Sequence, residues 1–161
     1  MNHKVLIGIG SNIGDKINNC TIAIKRIKED KRVVLLKQSS FYLTSPVSYI
    51  MQEDFINCAI CIDWDSTPLE LIKLLNNIEK DMGRIKEIPK GPRIIDLDII
   101  FFGDLVLDTD LLKIPHPEAH RRKFVIIPCT EIEPEIIHPV FQKKLKCFLS
   151  ELGEEQKIIR L

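Results

Sequence analysis

The chain has 161 residues, 45% apolar and 29% charged. That composition suits one globular domain and excludes disordered, collagen-like and disulfide-framework classes. Twenty-three basic residues balance 23 acidic ones, so no global field attracts a polyanion, and any phosphate or nucleic-acid contact must come from a local cluster of Lys and Arg.

No apolar run reaches the roughly 18 residues of a membrane span. Val5 to Gly10 is too short for the core of a signal peptide. An odd count of five cysteines suits reduced thiols. The expectation is a cytoplasmic monomer with a single domain over residues 1–161, binding neither membrane nor nucleic acid.

In chain order, Lys4 to Gly10 reads as a buried strand stopped by Gly10-Ser11-Asn12. Asp15 to Glu29 spaces Ile17, Cys20, Ile24 and Ile27 by three and four, the stripe of an amphipathic helix. Val33 to Leu43 and Phe55 to Trp64 read as strands, the second alternating at 56, 58, 60 and 62. Thr67, Pro68 and Glu70 form a capping box that opens a second helix, with Leu71, Leu74, Leu75 and Ile78 inward and an end near Gly83. Asp96 to Phe102 is a fourth strand, followed by a hairpin-like stretch around Leu105 to Leu107. Val125 to Ile132 reads as helical despite Pro128, Ile136 to Phe141 as extended, and Lys143 to Leu152 as a terminal helix. The order strand, helix, strand, strand, helix, strand is that of an α+β fold with a mixed or antiparallel sheet under two helices. Two connections, Thr44 to Asp54 and Met82 to Arg93, run to about a dozen residues, the length of functional loops and candidate lids.

Gly91-Pro92-Arg93-Ile94-Ile95-Asp96-Leu97-Asp98 carries the strongest chemical signal. The period-two strand puts Asp96 and Asp98 on one face. At a separation of about 6 Å and an effective dielectric of about 20 their repulsion is about 3 kcal/mol, which a hard cation such as Mg²⁺ would relieve. The same pattern arises when one aspartate opens the strand and the other pairs with an arginine. Arg84, Lys86, Lys90 and Arg93 precede this strand, and His116, His120, Arg121, Arg122 and Lys123 crowd a second segment. Carboxylates for a metal plus movable cations are what phosphoryl transfer requires. No P-loop pattern occurs, and Gly8 to Gly14 has the wrong spacing for a dinucleotide turn. Cys58 and Cys61 fall on opposite faces of a strand, against a zinc site. An RNA-recognition module shares the element order, but the third strand offers Cys58, Ile60 and Ile62 where such modules carry exposed aromatics.

The stretch from Gly91 to Ile100 is similar to the signature of the 6-hydroxymethyl-7,8-dihydropterin pyrophosphokinase family. Gly10-Ser11-Asn12, Ser40 to Pro46 and Ile114-Pro115-His116-Pro117 resemble further motifs of that family, in the same order, so the resemblance runs from Val5 to about Pro134. It implies a ferredoxin-like core in a three-layer α/β/α sandwich with a mostly antiparallel sheet. It also implies transfer of pyrophosphate from ATP to the pterin hydroxymethyl group, in folate biosynthesis. On that resemblance, Asp96 and Asp98 hold two Mg²⁺ ions and share the catalytic role with Arg84 and Arg93. Arg84, Lys86, Arg93, Ile99, Lys113, His116 and Arg122 meet the nucleotide; Thr44, Pro46, Val47, Phe55, Asn57 and Phe124 meet the pterin, the two phenylalanines sandwiching its ring. Pro89 and Lys90 stand where the family usually has a basic residue and Trp, Lys86 replaces a common Arg, Leu111 stands where some members have Arg, and Phe55 replaces a frequent Tyr.

Overall fold

The computed structural model describes residues 2–46, 52–84 and 92–161. Nine residues, His3–Ser11, form β1, an interior strand of the sheet, and their burial on both faces explains the near-continuous apolar run. Lys16–Lys28 forms α1, capped by the Asp15 side chain, which accepts the Asn18 N–H at 3.2 Å, and closed by Lys25, Arg26 and Lys28 against the helix dipole. Its buried stripe is Cys20, Ala23, Ile24 and Ile27; Ile17, expected to face inward, is 44% exposed.

The expected strand Val33 to Leu43 divides into β2, Val33–Gln38, and β3, Tyr42–Thr44. Ser39 causes the break, because its hydroxyl takes the Ala59 N–H at 2.9 Å in place of a main-chain acceptor. Phe55–Trp64 is β4, with the bounds expected from its alternation. Thr67 caps α2, Pro68–Asp81, by accepting the Glu70 N–H at 3.2 Å, and β5 follows at Asp96–Phe102.

β4 lies between β1 on one side and β2 with β3 on the other, and β5 pairs with the outer edge of β1. Every pairing among the described residues is antiparallel. Each helical crossover therefore skips one strand, which is the ferredoxin-like arrangement. Val5, Ile7, Ile9, Ile60, Leu97 and Ile99 turn toward α1 and α2. Leu6, Ala59, Cys61, Ile100 and Phe101 turn the other way, onto α3, Lys123–Ile132, and a 3₁₀ segment at Leu145–Glu151. Two apolar layers on two faces of one sheet make the α/β/α sandwich.

The last third departs most from expectation. The terminal helix is that 3₁₀ segment, preceded by a two-residue strand, and the extended stretch at 136–141 contributes only Ile137–His138. The hairpin lies slightly later than expected, pairing β6, Leu107–Asp108, with β7, Lys113–Ile114. β8, Ile137–His138, pairs with β9, Lys143–Lys144, and Ile158–Arg160 adds an unexpected edge strand, β10, to β3. No helix among the described residues is long and apolar enough to cross a membrane.

Candidate functional site

The register across the sheet sets one row as Tyr42, Asn57, Gly10 and Asp96, and the neighbouring row places Gly8 between Ala59 and Asp98. Asn57 and Asp96 thus flank a strand position without a side chain. A Cβ at Gly10 would lie 2.5 Å from Asn57 Oδ1 and 3.6 Å from the Phe55 ring, so only glycine leaves the floor open. Asp96 and Asp98 share the face turned toward α3, as the strand period requires, while Leu97 between them enters the core against α1 and α2.

A cleft of about 460 Å³ opens over this row, lined by Thr44, Ser45, Phe55, Asn57, Arg93, Asp96, Arg122 and Phe124. Asn57 is buried and donates from Nδ2 to Thr44 Oγ1 at 2.6 Å, which fixes its amide plane. Phe124 opens α3 under the Arg122 guanidinium, 5.5 Å from the ring centroid. A second, wider cleft of about 710 Å³ adjoins it, with Asn76, Glu79, Arg84, Asp98 and His116 on its walls, and shares Arg93, Asp96 and Arg122 with the first.

The charges of the second cleft are interlocked. α2 ends in a left-handed cap: Gly83 has φ of +89°, its N–H bonds to Lys80 O at 3.0 Å, and the Arg84 N–H reaches back to Glu79 O at 3.0 Å. That turn brings the Arg84 side chain onto its own helix, Nη1 lying 2.7 Å from Glu79 Oε2 and 3.2 Å from Asp96 Oδ1. Arg93 Nη1 holds the other oxygen of Asp96 at 3.0 Å. Glu79, only 4% exposed, also accepts the Leu97 N–H at 2.8 Å and so pins the strand between the two aspartates. Asp96 and Asp98 thus share a face, and it is Asp96, the residue that opens the strand, that pairs with arginine. Burial, with Asp96 and Glu79 close by, pushes Asp98 up to about 7, only partly offset by Arg84 and Arg122.

His116 is held neutral, its pKa lowered by burial and then by Arg122. Its Nδ1 accepts the Glu118 N–H at 3.0 Å, so the ring proton resides on Nε2, available to donate. Asn12, 1% exposed, joins the two long loops: Oδ1 accepts the Arg93 N–H at 2.7 Å, and Nδ2 donates to Gln52 Oε1 at 2.7 Å and to the Glu53 carbonyl at 3.2 Å.

Of the expected nucleotide residues, Arg84, Arg93, His116 and Arg122 converge on the second cleft. Lys113 lies in the β6–β7 hairpin, paired with Asp108 at 2.5 Å, beside a separate groove. The Ile99 side chain is in the core, which leaves only its main chain for a ligand. Thr44, Phe55, Asn57 and Phe124 line the first cleft, with Pro46 next after Ser45. Val47, Lys86, Pro89 and Lys90 lie outside the described residues, as do the middles of both candidate lids. Leu111 is 80% exposed. Glu79, Ser45 and the latching role of Asn12 were not anticipated. For Glu79 the signal was present, since it stands four residues after Leu75 and next to Ile78, a carboxylate on an otherwise apolar stripe.

The donor chemistry fits Mg²⁺. Two strand carboxylates supply hard oxygen ligands, and an acidic residue with a strongly raised pKa lacks sufficient positive charge around it. Among the described residues no group of three or more His, Cys, Asp or Glu gathers as a dedicated cage.

A ferredoxin-like sandwich with paired carboxylates at the head of one strand and arginines from the loops beside it has the parts that phosphoryl transfer requires. The profile of the 7,8-dihydro-6-hydroxymethylpterin-pyrophosphokinase (HPPK) family matches residues 6–134, and the chain belongs to that family. It is 37% identical over 147 residues to the 2-amino-4-hydroxy-6-hydroxymethyldihydropteridine pyrophosphokinase of Aquifex aeolicus, covering 91% of both chains. It is 41% identical over 138 residues to a folic acid synthesis protein of Dictyostelium discoideum, covering 86% of this chain but 21% of that one. Among solved structures, an HPPK-DHPS of Plasmodium falciparum superposes with a TM-score of 0.72 at 15% identity, over 94% of this chain and 44% of the other. The chain thus spans nearly the whole of the Aquifex relative and under half of the other two.

Proposed function

We propose that the protein transfers the diphosphate of ATP to the hydroxymethyl oxygen of 6-hydroxymethyl-7,8-dihydropterin, releasing AMP, as a step of folate biosynthesis. The observation that carries this reading is the junction of the two clefts. A flat pocket walled by Phe55, Asn57 and Phe124 meets a charged one at Asp96 and Arg122, which line both. A planar heterocycle with paired donors and acceptors on its edge suits aromatic walls and the fixed amide of Asn57. Its hydroxymethyl arm would then point to the carboxylates, where the phosphate chain lies.

The pterin oxygen attacks the β-phosphorus in line, the bond from that phosphorus to the α-phosphate bridging oxygen breaks, AMP leaves with the electron pair, and the hydroxyl proton passes to solvent. Asp96 and Asp98 would hold Mg²⁺, two ions in this proposal, which when bound offset charge on the phosphate oxygens. Arg84, Arg93 and Arg122 meet the remaining charge, and His116 donates from Nε2 to a phosphate oxygen. Positioning and electrostatics supply most of the acceleration. We place the enzyme in the cytoplasm as a monomer, with Ile99, Lys113 and Lys86 on the nucleotide and Thr44, Pro46 and Val47 on the pterin.

The test is AMP formation from ATP on addition of the pterin alcohol, with and without Mg²⁺. Turnover is expected only with all three components, and Asp96→Ala or Asp98→Ala should remove it by at least about a thousandfold. No pterin-dependent AMP, or near-normal rates in either variant, would sink the reading.

A further inference from the structure

Both oxygens of Asp96 are already engaged. Arg84 lies 3.2 Å from Oδ1 and Arg93 3.0 Å from Oδ2, with the carboxylate side chain only 20% exposed. A divalent cation that binds these oxygens must compete with the two guanidiniums for the same carboxylate charge. The main chains on either side are fixed independently of those contacts. Arg93 is bound through its N–H and carbonyl to Asn12, and Arg84 through its N–H to the end of α2. The two side chains can therefore change partner by rotation alone.

The local charge explains what would make them move. Glu79, Asp96 and Asp98 face Arg84, Arg93 and Arg122, and Glu79 and Asp96 are already paired with arginine. A bare divalent ion entering this set brings surplus positive charge, must shed water, and takes Asp96 from Arg93 while leaving Arg84 with Glu79 alone. An ion carried by a triphosphate brings its own anionic oxygens, to which the displaced guanidiniums can pass in bidentate geometry.

We propose that Arg84 and Arg93 act as built-in substitutes for the metal, occupying Asp96 until a nucleotide-borne cation displaces them and then closing on the phosphates that arrive with it. This rests on the metal reading above and goes beyond it. The arginines become a filter that rejects the bare ion and accepts the ion–nucleotide pair, and the act that loads the metal also delivers the cations to the reacting phosphates. Glu79 keeps Arg84 within reach throughout, since it holds the same Nη1 at 2.7 Å.

The test measures Mn²⁺ uptake by loss of the electron paramagnetic resonance signal of the aqueous ion, with and without a nonhydrolysable ATP analogue. Without nucleotide, Arg93→Ala should bind Mn²⁺ about tenfold more tightly than the wild type. Arg122→Ala, which removes the same charge from a guanidinium that lies over Phe124 and, among the described residues, is not ion-paired with Asp96, should gain less than about threefold. With the analogue the order reverses, and Arg93→Ala should hold the Mn²⁺–analogue pair more weakly than the wild type. Arg93→Gln serves as the second variant should Arg93→Ala fold poorly. Equal gains in the Arg93 and Arg122 variants, or none, overturn the exchange while leaving the metal reading intact. Failure of the wild type to retain Mn²⁺ even with the analogue overturns both.

Discussion

Glu79 offers the sharpest test of how the site is built, because one carboxylate supports two different things. Glu79→Ala leaves the buried Leu97 N–H, on the outer edge of β5, without its acceptor, at about 1–3 kcal/mol, and removes a charge-assisted contact to Arg84 of about 1.5–3 kcal/mol. Arg84 keeps Asp96, which lowers the second figure, so the net loss should be about 3 kcal/mol. For a chain of this length that is a fall in Tm of roughly 6–12 °C. Glu79→Gln keeps an oxygen for Leu97 and loses only the charge, so it should cost about 1 kcal/mol. Urea unfolding followed by the fluorescence of the single tryptophan, Trp64, which is fully buried between β4 and the start of α2, measures both. An alanine variant within about 0.5 kcal/mol of the wild type, or a glutamine variant as unstable as the alanine one, would refute the division of labour argued here.

Three further outcomes follow from the same geometry. Asn12→Ala removes three hydrogen bonds from a buried side chain and should lower stability by about 2–3 kcal/mol, whereas Asn12→Asp keeps the acceptor for Arg93 and should retain far more turnover; equal kcat in the two variants would count against the latch. Gly10→Ala places a methyl 2.5 Å from Asn57 Oδ1 and should weaken pterin binding, read by calorimetry, at least about tenfold more than nucleotide binding. The raised pKa of Asp98, about 7 against an ordinary 3.8, means that the native state keeps a proton the unfolded chain has released. Its stabilising contribution is full below about pH 4 and is lost as pH rises through about 7, so the ligand-free protein should become less stable between those limits. Affinity for Mg²⁺ with an ATP analogue should rise over the same interval, because the metal needs the deprotonated carboxylate, and flat profiles in both titrations would contradict the assignment.

What the sequence disclosed followed the strength of its local patterns. β4, from its alternation, and β5, from its Asp-x-Asp start and apolar run, were readable to the residue, and Thr67-Pro68 announced α2 through capping chemistry. The β2–β3 break was hidden because Ser39 replaces a ladder bond with its side chain, a choice visible only once Ala59 is alongside. β10 was missed because three residues at the C-terminal end gain strand character solely by pairing with β3, more than a hundred positions earlier. The shared face of Asp96 and Asp98 was legible from period alone. The gathering of Arg84, Arg93 and Arg122 about them was expected from the family resemblance, since nothing local to any of the three indicates a common cleft. Glu79 lay in plain view on an apolar stripe and its meaning was overlooked.

The pairing of β1 with β5 slips by one residue between Leu6 and Ile7, leaving Ile100 as an extra member of β5. Ile100 and Phe101 consequently both turn toward α3, and Phe102 returns to the side of Leu97 and Ile99. The bulge works as a phase shifter, letting the far half of the strand knit the two layers while the near half keeps its acids on the open side. Losing Ile100 would restore simple alternation, Ile99 opposite Ile7 and Phe101 opposite Leu6, so both carboxylates would stay on the open side and the cost would fall on the α3 layer, which loses one apolar side chain.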